Sequence, residues 1–129
     1  MNMPGYSLDP DAESKLLTVS LSGHWDLDIL RNYQTDRQAA IRSMVSAGVA
    51  EADIRVLVDR RNQSVQSQDV AAALSEMLRD VEMKTARTAV IVSGALQRIQ
   101  TIRTSGTERT RVFTDEHEAK AWLLREQPD

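Results

Sequence analysis

Two five-residue stretches decide the fold: IRVLV at 54–58 and TAVIV at 88–92. Each is apolar but for one position, Arg55 in the first and Thr88 in the second, and each is rich in side chains branched at Cβ. Runs this short and this branched suit a pleated strand better than a helix. Neither alternates polar with apolar, so both faces are expected to be covered, as in the central strands of a parallel sheet.

Parallel neighbours need a crossover, and the chain between the two stretches supplies one. Val70, Ala71, Leu74, Met77, Leu78 and Val81 recur at helical spacing. Downstream, Leu96, Ile99 and Ile102 mark a further helix that Ser105 and Gly106 should stop. Arg111, Val112 and Phe113 then form a brief strand, and Asp115 followed by Glu118 resembles a capping box ahead of Ala119, Trp122 and Leu123. Upstream, Asp26 is suited to cap a long helix carrying Leu27, Leu30, Tyr33, Ala40, Ile41, Met44 and Val45. Arg37 is the one polar member of that stripe, and Gly48 should end the run. Before it, Tyr6 and Leu8 alternate with polar residues, PDAES at 10–14 offers a turn, and Leu17, Val19 and Leu21 alternate again, which predicts a β-hairpin with one buried face. The expected order is β-β-α-β-α-β-α-β-α: an α/β fold with a mixed sheet of about five strands, right-handed crossovers and an antiparallel hairpin at one edge.

A chain of 129 residues with 41% hydrophobic content predicts one domain spanning 1–129. Its 16 basic and 19 acidic side chains give a net charge of -3, which offers no overall attraction to nucleic acid or to an anionic membrane surface. The absence of cysteine excludes disulfides, thiolate nucleophiles and thiolate metal sites. No segment approaches the roughly 18 consecutive apolar residues of a membrane span, and MNMPGYSLDP at the start lacks a leader's basic and apolar regions, so a cytoplasmic location is expected.

Catalytic chemistry finds little to work with. His24 lies two residues from Asp26, but no third group joins them, and Asp26 is better used as a helix cap. His117 sits in an acidic first helical turn that complements the helix dipole. The scattered carboxylates, such as Asp9 and Asp11, lack metal-ligand spacing, and the strand-to-helix turn at Ser93 and Gly94 is the nearest thing to a phosphate loop. Arg98, Arg103, Arg109 and Arg111 read as a solvated face. Neither an enzymatic activity nor a cofactor is expected.

Residues 59–70, DRRNQSVQSQDV, form the expected strand-to-helix connection, and any functional surface is expected there. Ser67 immediately precedes the helix and can cap it, and Ser64 lies three residues earlier. A phosphate on Ser67 would suit the helix dipole and could meet Arg60 or Arg61, but Asp69 would repel it.

The chain resembles the STAS superfamily, and within it the SpoIIAA-like branch, which is also compared with lipid-binding CRAL-TRIO domains. The resemblance spans nearly the whole chain. It rests on SGHWD at 22–26, IRVLVDRRN at 54–62, TAVIVSGALQRI at 88–99 and above all RVFTDEHEAKAWL at 111–123. It implies a non-enzymatic regulatory module that meets a protein partner through the loop and the helix after it, with Ser64, Ser67, Asp69, Arg60 and Arg61 as the candidate interaction or phosphorylation residues. The CRAL-TRIO comparison implies the alternative, a binder of a small apolar ligand between helices and sheet, where Met44, Met77 and Met83 could serve as adaptable lining. Homodimerisation is compatible with either. The loop departs from the superfamily's Asp-Ser-Ser-Gly phosphorylation motif: Asp59 stands where the strand-ending aspartate would, without the Asp-Ser pair or the glycine.

Overall fold

The computed structural model describes residues 4–64, 66–94 and 109–125. Its strands are β1 (Gly5–Asp11), β2 (Leu16–Gly23), β3 (Arg55–Gln63), β4 (Arg87–Ile91) and β5 (Thr110–Phe113). Among the described residues the helices are α1 (Leu27–Ser46), α2 (Gln68–Lys84) and α3 (Glu116–Leu124), with a 3-10 turn at Glu51–Asp53. The strands lie in the order β1-β2-β3-β4-β5. β1 runs antiparallel to β2, and the three pairs that follow are parallel, with Arg55 beside Arg87 and Asp59 beside Ile91 in the central pair. The sheet is therefore the one the two apolar stretches predict. The helix expected around Leu96, Ile99 and Ile102 lies outside the described residues.

Both faces of the sheet are covered, which is why the central strands carry no polar side. Val56, Val58, Val90 and Val92 turn to one face and meet Leu30, Tyr33, Ile41 and Met44 of α1 and Val70, Leu74 and Met77 of α2. Leu57, Ala89 and Ile91 turn to the other and meet Ala119 and Leu123 of α3. The hairpin alternates instead: Leu17, Val19 and Leu21 enter the α1 face and Ser20 is exposed.

Both ends of α1 follow from sequence. The Asp26 carboxylate accepts from the Ile29 amide at 2.9 Å. At the other end the Gly48 amide donates to the Val45 carbonyl at 3.0 Å and the Val49 amide to the Met44 carbonyl at 3.1 Å, a Schellman motif closed by buried Met44 and Val49. Gly48 takes φ +103°, a left-handed conformation that side chains with a Cβ resist. Leu27 and Val45, placed by spacing on the buried stripe, flank it and stay exposed.

Two boundaries differ from expectation. Pro10 and Asp11 belong to β1 rather than to the turn, because an edge strand tolerates a proline that lacks an N–H. The turn is Ala12 to Lys15, held by the Asp11 carboxylate, which accepts from the amides of Glu13 and Ser14 and from the Ser14 hydroxyl. More consequential is β3, which continues four residues past Asp59 through Arg60, Arg61, Asn62 and Gln63. β4 stops pairing at Asp59, so the extension leans on β2 alone, with a register shift after Ser20 that sets Ser22 beside Asn62.

Candidate functional site

The C-terminal ends of β2 and β3 bring two turns together: residues 23–26 leading into α1 and residues 64–67 leading into α2. Gly23 turns the chain at φ +76°. Trp25 then folds inward, 2% exposed, donating from Nε1 to the Ser22 carbonyl at 2.9 Å. Its ring packs edge-on to Tyr33 with centroids 5.2 Å apart, and Tyr6 completes the group at 5.9 Å from Trp25 and 5.3 Å from Tyr33. Tyr6 also donates its hydroxyl to Asp36 of α1 at 2.5 Å. Burial, and then this carboxylate, push the Tyr6 phenol up to about 12.

Gln66 ties the turns to each other. Its Oε1 accepts from the Trp25 amide at 2.7 Å, and its Nε2 donates to the Gly23 carbonyl at 3.1 Å and to the Ser64 carbonyl. The Ser64 amide adds a bond to the Gly23 carbonyl at 3.2 Å. The loop is thus fixed from below while Ser64, Ser67 and Asp69 face outward, beside exposed His24 and Asp26. Ser67 has the geometry of an N-cap: its carbonyl accepts from the Ala71 amide at 2.8 Å and its Oγ from the Val70 amide at 3.4 Å.

Arg60 and Arg61 are not in the loop. They are consecutive residues of a strand and therefore point to opposite faces. Arg60 is 5% exposed on the helix α1–α2 side, where its Nε donates to Gln63 Oε1 at 2.8 Å, and burial lowers its affinity for a proton. Beside it Arg37, 3% exposed, lies with its guanidinium 5.7 Å from the centre of the Tyr33 ring, and its Nε has no hydrogen-bond partner among the described residues. Burial raises the Tyr33 phenol, while the charges of Arg37 and Arg60 pull it down. Arg61 emerges on the α3 side and grips Asp59 through two bonds, at 3.0 Å and 2.7 Å, with Glu116 of α3 at 2.7 Å. This hydrogen bonding holds the Asp59 carboxyl below its usual range; Glu116 is lowered too, first by Lys120 and then by Arg61. A phosphate on Ser67 would find both arginines already engaged.

Sequence reasoning missed Gln66 and the burial of Arg37 and Arg60. The one signal was Arg37's place on the apolar stripe of α1. His117 uses its backbone amide to donate to the capping Asp115 at 2.8 Å, and its side chain is exposed. Among the described residues no group of three or more His, Asp or Glu side chains is placed to hold a metal, and no helix is long and apolar enough to cross a membrane. The space between helices and sheet lined by Leu21, Tyr33, Leu74 and Met77 amounts to about 20 Å³. That is room for about one water, against roughly 300 Å³ or more for an ordinary ligand pocket.

No family model and no curated protein matches the chain. Solved structures do. An uncharacterized DUF3478-family protein from Shewanella loihica, described as having a SpoIIAA-like fold, superposes with a TM-score of 0.66 at 19% identity, covering 95% of this chain and 97% of its own. An anti-sigma factor antagonist from Mycobacterium paratuberculosis superposes with a TM-score of 0.58 at 13% identity, covering 94% and 96%. With its five-stranded mixed sheet, hairpin edge and helices on both faces, this chain has a SpoIIAA-like fold.

Proposed function

We propose that the chain is a non-enzymatic regulatory module of the cytoplasm that binds another protein through the rim formed by the 23–26 turn, the 64–67 loop and the start of α2. The observation that carries this reading is the Gln66 clamp, which ties the exposed, polar Ser64 and Ser67 to the 23–26 turn. A pre-ordered surface binds without the entropic cost of ordering a loop. The same fold in an anti-sigma factor antagonist supports a protein partner. Ser67 acts as a helix cap rather than a phosphate acceptor, since its nearest basic neighbours in sequence serve the core and α3.

Affinity capture from the native lysate with wild type and with Ser64→Arg tests the surface. A protein retained by the wild type and lost with the variant is expected; the same captured set with both, or none with either, overturns the reading. Intact-mass measurement of protein purified from its native cells should show no added phosphate, and a phosphate mapped to Ser67 would restore the switch.

A further inference from the structure

At the opposite end of the sheet, where the parallel strands begin, lies a cavity of about 880 Å³. Among the described residues six cationic side chains line it: Lys15 from the hairpin turn, Arg55 at the start of β3, Arg87 at the start of β4, Arg109 and Arg111 around the start of β5, and Arg125 after α3. Among the described residues two carboxylates, Glu13 and Asp53, line it with them. Backbone bonds fix the rim: the Arg55 amide donates to the Lys15 carbonyl at 2.9 Å, the Ala86 amide to Ile54 at 2.8 Å and the Thr88 amide to Arg109 at 2.8 Å. Trp122 of α3 forms part of the wall, with the guanidinium of Arg87 5.3 Å and that of Arg111 5.1 Å from its ring centre. Arg87 also donates to the Trp122 carbonyl at 2.9 Å, closing the end of α3.

Lys15, Arg109, Arg111 and Arg125 are exposed, as a solvated face requires, but solvation alone does not account for their convergence. The cations come from separate elements and converge on one concave space in a chain whose net charge is -3, and like charges gathered this way repel. We propose that this cavity binds a small molecule carrying two phosphate groups. The volume falls within the roughly 300–1,000 Å³ of ligand pockets. Among the described lining residues the cations outnumber the carboxylates, which suits two phosphoryl groups, each carrying about -1.5 to -2 near neutral pH. Guanidinium forks approaching from several directions suit a tetrahedral phosphate, which accepts bonds on three oxygens, better than a planar carboxylate. The ring contact of Arg111 holds one of these forks in place before a ligand arrives, while Arg87, bonded to the Trp122 and Arg125 carbonyls, anchors the wall and adds its charge.

Inorganic pyrophosphate is the probe. Calorimetric titration in low-salt buffer should give one site per chain, weakening as chloride is raised. Sulfate at equal ionic strength should bind far more weakly. In NMR spectra pyrophosphate should shift the indole N–H of Trp122 and leave that of Trp25, the chain's other tryptophan, in place. Arg55→Gln with Arg111→Gln should lower the affinity about ten-fold or more, whereas Arg31→Gln on exposed α1 should leave it unchanged. Sulfate binding as well as pyrophosphate, a shift at Trp25 in place of Trp122, or full affinity in a folded double variant overturns the proposal. So does citrate binding more tightly than pyrophosphate, which would assign the cavity to carboxylates. If the double variant does not fold, the indole shifts of the wild type decide.

Discussion

A primary amide offers one acceptor oxygen and two N–H donors, and Gln66 engages them all in joining the two turns. Gln66→Met keeps the side chain's length but strands the buried Trp25 amide, and should cost about 2 kcal/mol in urea or thermal unfolding. Ser67 is the milder case. Its Oγ sits 3.4 Å from the Val70 amide, so Ser67→Ala should cost about 0.5 kcal/mol, near the low end for a helix cap, and Ser67→Asp should melt with the wild type. A Ser67→Ala variant as stable as wild type would show that the hydroxyl does no capping. At alkaline pH the tyrosines dominate. Tyr6 ionises near 12 in the folded chain against about 10 when unfolded, so the stability held below pH 10 should decline as pH climbs toward 12. Tyr33, raised by burial, shifts in the same sense. An ultraviolet titration of the native protein should therefore show no phenolate step at pH 10, and Tyr6→Phe should flatten part of the alkaline fall.

Elements with a complete apolar stripe or alternation were legible in the sequence, and those held by polar groups were not. IRVLV and TAVIV announce buried strands, Asp26 and Gly48 bracket α1, and Asp115 caps α3 where expected, through the His117 amide. The second half of β3 reads as a loop, because RRNQ has no apolar face; its strand character comes from the backbone ladder to β2, which composition does not report. Two variants probe these element ends. Gly48→Ala meets no atom within 4 Å, so its cost is backbone strain alone, about 1–2 kcal/mol. Arg61→Gln releases both Asp59 and Glu116 and should weaken the docking of α3 on β3. Since both carboxyls are lowered in the folded chain, their contribution is complete above the usual carboxylate range near pH 4 and is lost as pH falls below it. The stability gap between wild type and Arg61→Gln should therefore be largest at neutral pH and vanish in acid, and a gap independent of pH would contradict the pairing.

For the molecule as a whole, the sheet's centre is its most protected part. Amides of β3 from Val56 to Val58 and of β4 should exchange with deuterium most slowly and those of β1 much sooner, a gradient that exchange mass spectrometry can read. The basic cavity was hidden from sequence reasoning because proximity in the chain is a poor guide to convergence in space. Arg109 and Arg111 read as part of a solvated cluster with Arg98 and Arg103, which lie outside the described residues. Their companions in the cavity, Arg55, Arg87 and Arg125, come from elsewhere in the chain. Pro10 also matters at this scale. An outermost strand is an open template on which another molecule can extend a sheet, and proteins that escape fibre growth blunt it. Here one margin carries Asp9, Asp11 and a proline with no amide hydrogen to offer, and the other is only four residues long and bears Arg111. Stacking of copies margin to margin into a continuous ribbon is thereby discouraged at both borders.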